Sequence, residues 1–357
     1  MSYINTDITS LKKIKDSFLQ ELKDADSGKA TSLPYVLNTI PKTPVVQEGE
    51  SFQVAVIGGT HCSFSICKKQ NNAGVIISSK QVRVPDLKTD QDFFRFLESH
   101  IPETCSILAC NFAFPLIPEF INGILDGRLL RGTKGHTLTG LTGKLVGKEI
   151  DAYFLQKRGQ KLTTTVANDT ICLLLSGLEK VPFQKLGAGI VGSGMNFAFF
   201  RDETTAINLE SADFNKFESS ETGILIDKES TNPGHSTYEK EVSGVYLFQH
   251  YNKELELQNL PLSPISKTAE LDILAQNGET LAIELLHRSA KLIACQIAAI
   301  MDFRRTNMTF IMEGSVFWKG LEYKKTVEET VSELTSYKST FTHIQNSNII
   351  GGAHLVI

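Results

Sequence analysis

The stretch VIGGTHCSFSI, residues Val56–Ile66, places Gly-Gly-Thr between two runs of β-branched and alternating side chains. Alternation of this kind is typical of β-strands, and glycine permits a tight turn between them. We expect a hairpin whose turn lets backbone N–H groups approach a phosphate. The pattern recurs where GSGMN, Gly192–Asn196, separates the predicted strands 188–191 and 197–200. Two such hairpins indicate a duplicated architecture with a phosphate between its halves.

Composition limits the class of protein. A chain of 357 residues exceeds what one hydrophobic core usually organises, so we expect two domains. The net charge of −4 and the lack of a Lys/Arg-rich run give no indication of nucleic-acid binding. No apolar run approaches the roughly 20 residues of a membrane span, and the first residues lack a signal-peptide core. The six cysteines form no CxxC pair and the eight histidines show no metal-ligand spacing, which favours free thiols in the cytoplasm.

Periodicity along the chain predicts an α/β protein with a mixed sheet. Strands are expected over residues 53–57, 61–68, 75–84, 106–110, 163–167, 188–191, 197–200 and 308–312. Helices are expected over residues 1–28, 89–99, 170–177, 237–250, 266–275, 278–303 and 326–336. Residues 111–165 are interpreted mainly as loops and short helices, residues 201–236 as polar loops, and the terminal NIIGGAHLVI as a glycine turn before an apolar run.

Asp169 is the first candidate for chemistry. It follows Asn168 at the end of the β-branched strand 163–167 and precedes a predicted helix. Strand ends that face a crevice are where α/β proteins place catalytic groups, and a carboxylate there could accept a proton from an attacking hydroxyl. Aspartate at such a junction also serves as a plain helix cap. The local sequence leaves both roles open.

Read in order, a series of motifs resembles the eukaryotic-type hexokinase family of the actin-like superfamily of sugar kinases. The motifs are GGT (58–60), NFAFP (111–115), GTKG (132–135), NDT (168–170), GSGMN (192–196), INLESADF (207–214), NPGHSTYEKEVSGVYL (232–247) and EGSVF (313–317). The resemblance covers nearly the whole chain, and the NPG…YEK..SG.YL stretch is its most specific part.

The resemblance implies a two-lobed, actin-like (ribonuclease H-like) α/β fold with mixed sheets and an active site in the interlobe cleft. The small lobe would span residues 51–170 and the large lobe residues 171–357, with the C-terminal segment able to return to the small lobe. Residues 1–50 would form a helix and connector on the large lobe. The implied activity is transfer of the ATP γ-phosphate to the 6-hydroxyl of glucose, mannose or fructose, with Mg²⁺ accompanying ATP.

Site residues follow from the matching motif positions. Hexose recognition needs fixed donors and acceptors for every ring hydroxyl. The matching positions are Thr133, Lys134, Asn168, Asp169, Asn196, Glu210 and Glu239. Asp169 matches the family's general base, and Lys134 would help to balance charge near the reacting oxygen. The phosphate-binding positions are Gly58, Gly59, Thr60, Gly192, Ser193 and Gly194, and Ser315 lies where the adenosine-side motif falls.

The first phosphate motif departs from the family pattern Asp-x-Gly-Gly-Thr-Asn-x-Arg. Val56, His61 and Ser63 replace the acid, the amide and the arginine. A divergent kinase remains chemically reasonable because Mg²⁺ can be held by ATP phosphates and water, and the retained Asp169 favours it. The alternative is a catalytically weak or inactive sugar sensor, and a non-sugar ATPase would not need both Glu210 and Glu239. The sequence therefore predicts a cytoplasmic hexose kinase.

Overall fold

The computed structural model describes residues 5–133 and 135–357, and its strands and helices alternate as expected for an α/β protein. The strands are β1 (Val36–Thr39), β2 (Ser51–Ile57), β3 (His61–Gln70), β4 (Ala73–Arg83), β5 (Ile107–Phe112), β6 (Leu116–Ile121), β7 (Ile124–Leu129), β8 (Thr163–Asn168), β9 (Leu186–Val191), β10 (Met195–Asp202), β11 (Thr205–Asn208), β12 (Met308–Glu313) and β13 (Ser339–Thr342). The helices are α1 (Ile8–Asp26), α2 (Asp90–Glu98), α3 (Val146–Arg158), α4 (Asp169–Leu175), α5 (Glu221–Glu229), α6 (Thr237–Val242), α7 (Gly244–Gln258), α8 (Thr268–Gln276), α9 (Thr280–Arg304), α10 (Ser315–Lys319), α11 (Tyr323–Leu334) and α12 (Ser347–Ala353).

Contacts between residues divide the chain into two compact units. Among the described residues, unit 1 comprises residues 5–35, 189–197 and 209–343, and unit 2 comprises residues 36–133, 135–188, 198–208 and 344–357. The lobe boundaries expected from the sequence stay a prediction. In the part of the chain that the structure describes, no helix has the length and apolar character needed to cross a membrane.

A mixed five-stranded sheet organises unit 2, with strand order β4-β3-β2-β5-β8. Strand β2 is antiparallel to β3 but parallel to β5, which is in turn parallel to β8. The register pairs Ile57 with Phe112 and Phe112 with Asn168. Because parallel strands end at the same edge of a sheet, the first glycine turn and the start of α4 emerge from one edge.

Helices α2 and α3 cover this sheet with an apolar core. Phe93 and Phe154 are fully buried in it, and the rings of Phe93 and Phe112 meet edge to face at 5.8 Å. A capping box fixes the start of α2, since Thr89 accepts a hydrogen bond from the Asp92 backbone and Asp92 accepts one from the Thr89 backbone. Burying each phenylalanine stabilises the fold by about 1.5–3 kcal/mol.

A second mixed sheet has the order β1-β11-β10-β9-β12-β13 and contains the second glycine hairpin, β9–β10. Strands β12 and β13 are parallel, whereas β10 and β11 are antiparallel. In unit 1 the long helix α9 is buried along most of its length, as its apolar run LIACQIAAIM requires. Helix α1 packs on it, and Lys15 Nζ pairs with Asp302 at 2.7 Å.

Four local expectations were wrong. Residues 111–165 contain the hairpin β6–β7 and the 13-residue helix α3, and residues 201–236 contain β11 and α5. The helix expected over 237–250 breaks between α6 and α7, because Gly244 N donates to Gly192 O at 2.7 Å instead of continuing the helix.

The C-terminal glycines lie inside helix α12 and do not form a turn. A Cβ atom on Gly351 would lie 1.7 Å from the carbonyl oxygen of Cys172, and one on Gly352 would lie 2.7 Å from Val54 Cγ1. Close packing of α12 on α4 and β2 therefore explains these two glycines.

Candidate active site

The first glycine hairpin, β2–β3, forms as expected and turns at Gly58–Thr60. Gly58 N donates to the carbonyl oxygen of His61 at 3.2 Å, and a Cβ atom on Gly58 would lie 2.7 Å from that oxygen. Only glycine fits this turn without displacing backbone. The Thr60 side chain is exposed, and its carbonyl accepts a hydrogen bond from Val84 N at 3.0 Å.

Asn168 and Asp169 lie at the same sheet edge, where β8 passes into α4. Asn168 is the N-cap of α4, and its side-chain oxygen accepts from Thr170 N at 3.0 Å. Asp169 is half-buried and its Oδ1 also accepts from Thr170 N, at 2.8 Å. The positive end of a helix favours an ionised carboxylate. Burial, and then the charge of Asp169, raise the pKa of the Cys172 thiol well above its ordinary value, so this cysteine stays a thiol.

Thr133 lies in the loop before α3 and is half-buried. Its carbonyl accepts a hydrogen bond from His136 N at 3.0 Å. A Cβ atom on Gly132 would lie 2.1 Å from the carbonyl oxygen of His136, which explains the glycine. Lys134, the other predicted residue of this loop, lies outside the described residues.

Val56, at the position of the missing acid, is half-buried in the sheet between Ser63 and Asn111. Asn111 Nδ2 donates to the carbonyl oxygen of Asn348 at 3.1 Å, while its Oδ1 is buried without a hydrogen-bond partner. No cluster of three or more acidic, histidine or cysteine side chains suited to a metal ion occurs within residues 5–133 and 135–357.

The second glycine turn, in unit 1, is held by backbone contacts. Gly192 N donates to Gly194 O at 2.9 Å, and Ser193 O accepts from Val245 N at 3.3 Å. Gly314 adopts φ +111°, and a Cβ atom on it would lie 2.1 Å from the carbonyl oxygen of Val191. The turn thus packs directly on the backbone before α10 and at the start of α7.

Glu239 lies beside this turn. Its Oε2 accepts from Met195 N at 3.0 Å, and a Cβ atom on Gly194 would lie 2.7 Å from the same oxygen. Glu239 is half-buried, whereas its neighbours Tyr238, Lys240 and Glu241 are buried. Those three residues anchor α6, so the backbone position of Glu239 is fixed.

The anchors of α6 are polar and fully partnered. Tyr238 OH donates to Leu292 O at 2.7 Å, and Lys240 Nζ contacts Asp227 Oδ1 at 2.6 Å. Burial alone would raise the pKa of Asp227, but the Lys240 ammonium and a backbone N–H lower it below its ordinary value. Glu241 accepts from Ser220 N at 2.9 Å and faces Arg288 at 3.4 Å, while its neighbour His250 is held neutral because burial depresses its pKa.

Asn196 and Glu210 complete the polar group in unit 1. Asn196 Oδ1 accepts from Ser211 N at 3.3 Å, which brings it next to Glu210. Glu210 is half-buried and has φ +48°, a left-handed conformation that is uncommon for residues with a side chain. Such strain clusters at functional sites. Unit 1 therefore brings Asn196, Glu210 and Glu239 to the side of the second glycine turn.

A cavity of about 290 Å³ opens beside this turn in unit 1. Ser193 and the exposed Ser315 both line it. Its other lining residues are Gly192, Gly244, Val245, Thr268, Ala269, Asp272, Leu286, Val316, Lys319 and Gly320. Gly244 belongs to the quoted SGVYL motif and could have been found from it. Thr268 and Asp272 carry no local sequence signal and were missed.

Comparison with known proteins finds similarity to hexokinases along most of the chain. Two family models, both described as hexokinase, match residues 1–178 and residues 259–357. The hexokinase of Emericella nidulans is 24% identical over 93% of this chain and 82% of its own length. The hexokinase of Kluyveromyces lactis is 24% identical over 92% of this chain and 82% of its own.

Solved structures share the fold. A Schistosoma mansoni hexokinase complexed with glucose has a TM-score of 0.78 at 19% identity, covering 98% of this chain and 95% of that one. A putative N-acetylmannosamine kinase from Listeria monocytogenes has a TM-score of 0.60 at 13% identity, covering 86% and 98%. The predicted actin-like sugar kinase fold is confirmed.

Proposed function

Since this chain belongs to the hexokinase family, we propose that it transfers the γ-phosphoryl group of ATP to the 6-hydroxyl of a hexose. The observation that supports this function is that a carboxylate and a glycine turn suited to binding phosphate lie at the same edge of one sheet. Asp169 and Gly58 follow strands β8 and β2, which are separated only by β5. Two strand spacings place them about 10 Å apart.

Asp169 is the proposed general base. Its carboxylate takes the proton of the hexose 6-hydroxyl as that oxygen attacks the γ-phosphorus and the bond to the ADP oxygen breaks. The product is a hexose 6-phosphate, and the proton passes from Asp169 to solvent. Thr170 N holds the carboxylate in place. Positioning and charge neutralisation supply most of the rate enhancement in such transfers.

Hexose recognition falls to polar side chains in both units. In unit 2 the proposed contacts are Asn168, Asp169 and Thr133, with Lys134 carried over from the motif alone. In unit 1 they are Asn196, Glu210 and Glu239. Carboxylates accept from sugar hydroxyls and amides both donate and accept, so this set can satisfy a ring of hydroxyls. All three candidate hexoses, glucose, mannose and fructose, present the 6-hydroxyl that the reaction needs.

The phosphates of ATP are proposed to bind at the two glycine turns, and its nucleoside is proposed to bind in the cavity of unit 1. Gly58, Gly59, Thr60, Gly192, Ser193 and Gly194 would face the phosphates. The 290 Å³ cavity, with Ser315 at its wall, would take the nucleoside. Mg²⁺ is proposed to enter with ATP as part of the substrate, since Val56 offers no oxygen ligand and Mg²⁺ keeps phosphate and water ligands readily. When bound, it would neutralise charge on the transferred phosphoryl group.

The sugar sensor weighed from the sequence is not favoured, because hexokinase models match both ends of the chain. We propose the cytoplasm as the location, in keeping with six free cysteines, five of them buried.

The test is phosphorylation of glucose, mannose and fructose by purified protein with Mg·ATP, with the product identified as the 6-phosphate. Asp169→Asn is the matched control, because the amide keeps the acceptor for Thr170 N but cannot take a proton. We expect turnover by the wild type and a loss of 10²-fold or more in the variant, in the range of general base catalysis. Calorimetric hexose binding without wild-type turnover would mean a sensor.

A further inference from the structure

His136 joins the Thr133 loop to the first glycine turn. Its ring is buried, with 8% of the residue exposed. Nε2 lies 2.6 Å from the carbonyl oxygen of Gly59, and Nδ1 lies 3.2 Å from the backbone nitrogen of Leu87. These contacts all lie within unit 2. Local sequence gives no signal for them, since 77 residues separate His136 from Gly59.

The two contacts fix which nitrogen carries the proton. The backbone N–H of Leu87 can only donate, so Nδ1 must accept and is bare. The carbonyl of Gly59 can only accept, so Nε2 carries the hydrogen and donates it. A neutral imidazole has one donor and one acceptor, and both are used here. The ring therefore cannot turn over without losing both hydrogen bonds.

The surroundings hold the ring at a junction of three segments. Val84 N donates to Thr60 O at 3.0 Å, and Thr139 N donates to Lys88 O at 2.8 Å. The segment 84–88 thus contacts the glycine turn at one end and the loop after His136 at the other.

The bond to Gly59 has a consequence for the neighbouring N–H. The carbonyl of Gly59 and the N–H of Thr60 belong to one planar trans peptide unit, so they point in opposite directions. Holding the oxygen toward His136 aims the N–H of Thr60 away from the imidazole. Glycine at position 59 would otherwise permit rotation of this peptide plane at little cost.

The first glycine turn, Gly58–Thr60, contains no charged side chain that could fix its conformation. Val56 and Ser63 stand where the motif carries an acid and an arginine, and the backbone N–H of Gly58 donates to His61 O at 3.2 Å. We propose that His136 is a positioning residue for the nucleotide, because its Nε2–H fixes the Gly59–Thr60 peptide so that Thr60 N–H meets an ATP phosphate. This proposal rests on the proposed kinase function.

Three variants separate the two ring contacts. His136→Gln keeps a donor at the place of Nε2 and loses the acceptor for Leu87. His136→Asn keeps an acceptor at the place of Nδ1 and cannot reach Gly59, and His136→Phe keeps only the ring. His100→Asn is the matched control, because His100 also contacts a backbone carbonyl, Phe96 O at 2.8 Å, but lies near the opposite end of β2.

Calorimetric binding of a non-hydrolysable ATP analogue with Mg²⁺ is the first readout, since it does not require turnover. We expect His136→Asn and His136→Phe to weaken binding by about 3- to 10-fold, the effect of one hydrogen bond. His136→Gln should stay within about twofold of the wild type. Where turnover is present, KM for ATP should follow the same order while KM for glucose changes less.

Equal binding by all variants, or an equal loss in Gln and Phe, would overturn the proposal. So would a change confined to KM for glucose, which would assign His136 to the sugar loop alone. If the Phe variant does not fold, the comparison of Asn with Gln decides. Absence of wild-type turnover would count against the kinase function, and the binding series would still test His136.

Discussion

Glu239 Oε2 accepts a hydrogen bond from Met195 N at 3.0 Å, across the glycine turn that the sequence predicts to bind phosphate. Gly194 leaves the space for this contact, because a side-chain carbon there would lie 2.7 Å from the same oxygen. One glycine thus serves the turn and also lets a proposed sugar ligand reach its place.

Gly194→Ala should therefore impair hexose binding. The added methyl group displaces the Glu239 carboxylate and breaks a charge-assisted hydrogen bond, which corresponds to about 10-fold or more in KM for glucose. Gly189→Ala is the control, since its Cβ would meet Phe197 at 2.5 Å in the same hairpin. That variant should lower the free energy of unfolding with little change in KM. Equal KM values in both variants would contradict the assigned role of Gly194.

Ala269→Trp should block the nucleotide and spare the hexose. Ala269 is exposed at the wall of the 290 Å³ cavity, and an indole there fills much of the space. KM for ATP should rise at least about 10-fold, because apolar contact area and hydrogen bonds in the cavity are lost together. Ile273→Trp on the same helix, at an exposed position outside the cavity, should leave KM for ATP unchanged. A similar KM for ATP in both variants would place the nucleoside elsewhere.

Lys240→Met should loosen the helix that carries Glu239. The buried ammonium donates to Asp227 Oδ1 at 2.6 Å, Ser230 Oγ at 2.9 Å and Asn232 O at 3.0 Å. The Asp227 carboxylate is only partly buried, so water can reach it once the ammonium is gone. Losing hydrogen bonds to a charged group then costs about 1.5–3 kcal/mol, and urea unfolding should show a loss of this order.

Lys253→Met provides the comparison, because Lys253 pairs with Glu229, which is largely exposed. Exposed pairs contribute about 0–1 kcal/mol. KM for hexose should rise in the folded fraction of Lys240→Met only, and an unchanged KM there would mean that α6 keeps Glu239 in place without this anchor.

Asp151→Asn should change the pH dependence of stability. Burial raises the pKa of Asp151 to about 6, although Thr164 Oγ1 donates to it at 2.6 Å. A raised pKa means that the folded protein binds the proton more tightly. The stabilisation is therefore present below the unfolded pKa of about 4 and is lost as the pH rises through 6.

Between pH 4 and pH 8 the wild type should lose about 2–3 kcal/mol of unfolding free energy relative to Asp151→Asn. The amide keeps an acceptor for Thr164 but does not titrate. Urea unfolding of both proteins across this range measures the difference. Parallel stability curves would show that Asp151 has an ordinary pKa in the fold.

Local sequence predicted the elements with strong periodic or turn signals. Both glycine hairpins form, α2 begins at Asp90 with Thr89 as its N-cap, within one residue of the expected start, and the strand before Asn168 is buried. The helix α3 was missed because only Val146, Gly147, Ile150 and Phe154 are buried, so the apolar residues that face the core form a narrow stripe. The terminal glycines were predicted to form a turn, but they lie inside α12, where close packing requires them. Composition alone does not distinguish a glycine needed for close packing from one needed for a turn.

The sequence by itself determined the family, the fold and the types of side chain available for a phosphoryl transfer, because these depend on motif order and on local periodicity. Only the tertiary structure decided which contacts fix the positions of those side chains. The bond from His136 to Gly59, the contact of Glu239 with Met195 and the cavity beside Ser193 each join segments distant along the chain. Such contacts depend on which strand ends and helix faces meet, and no local pattern of residues records that.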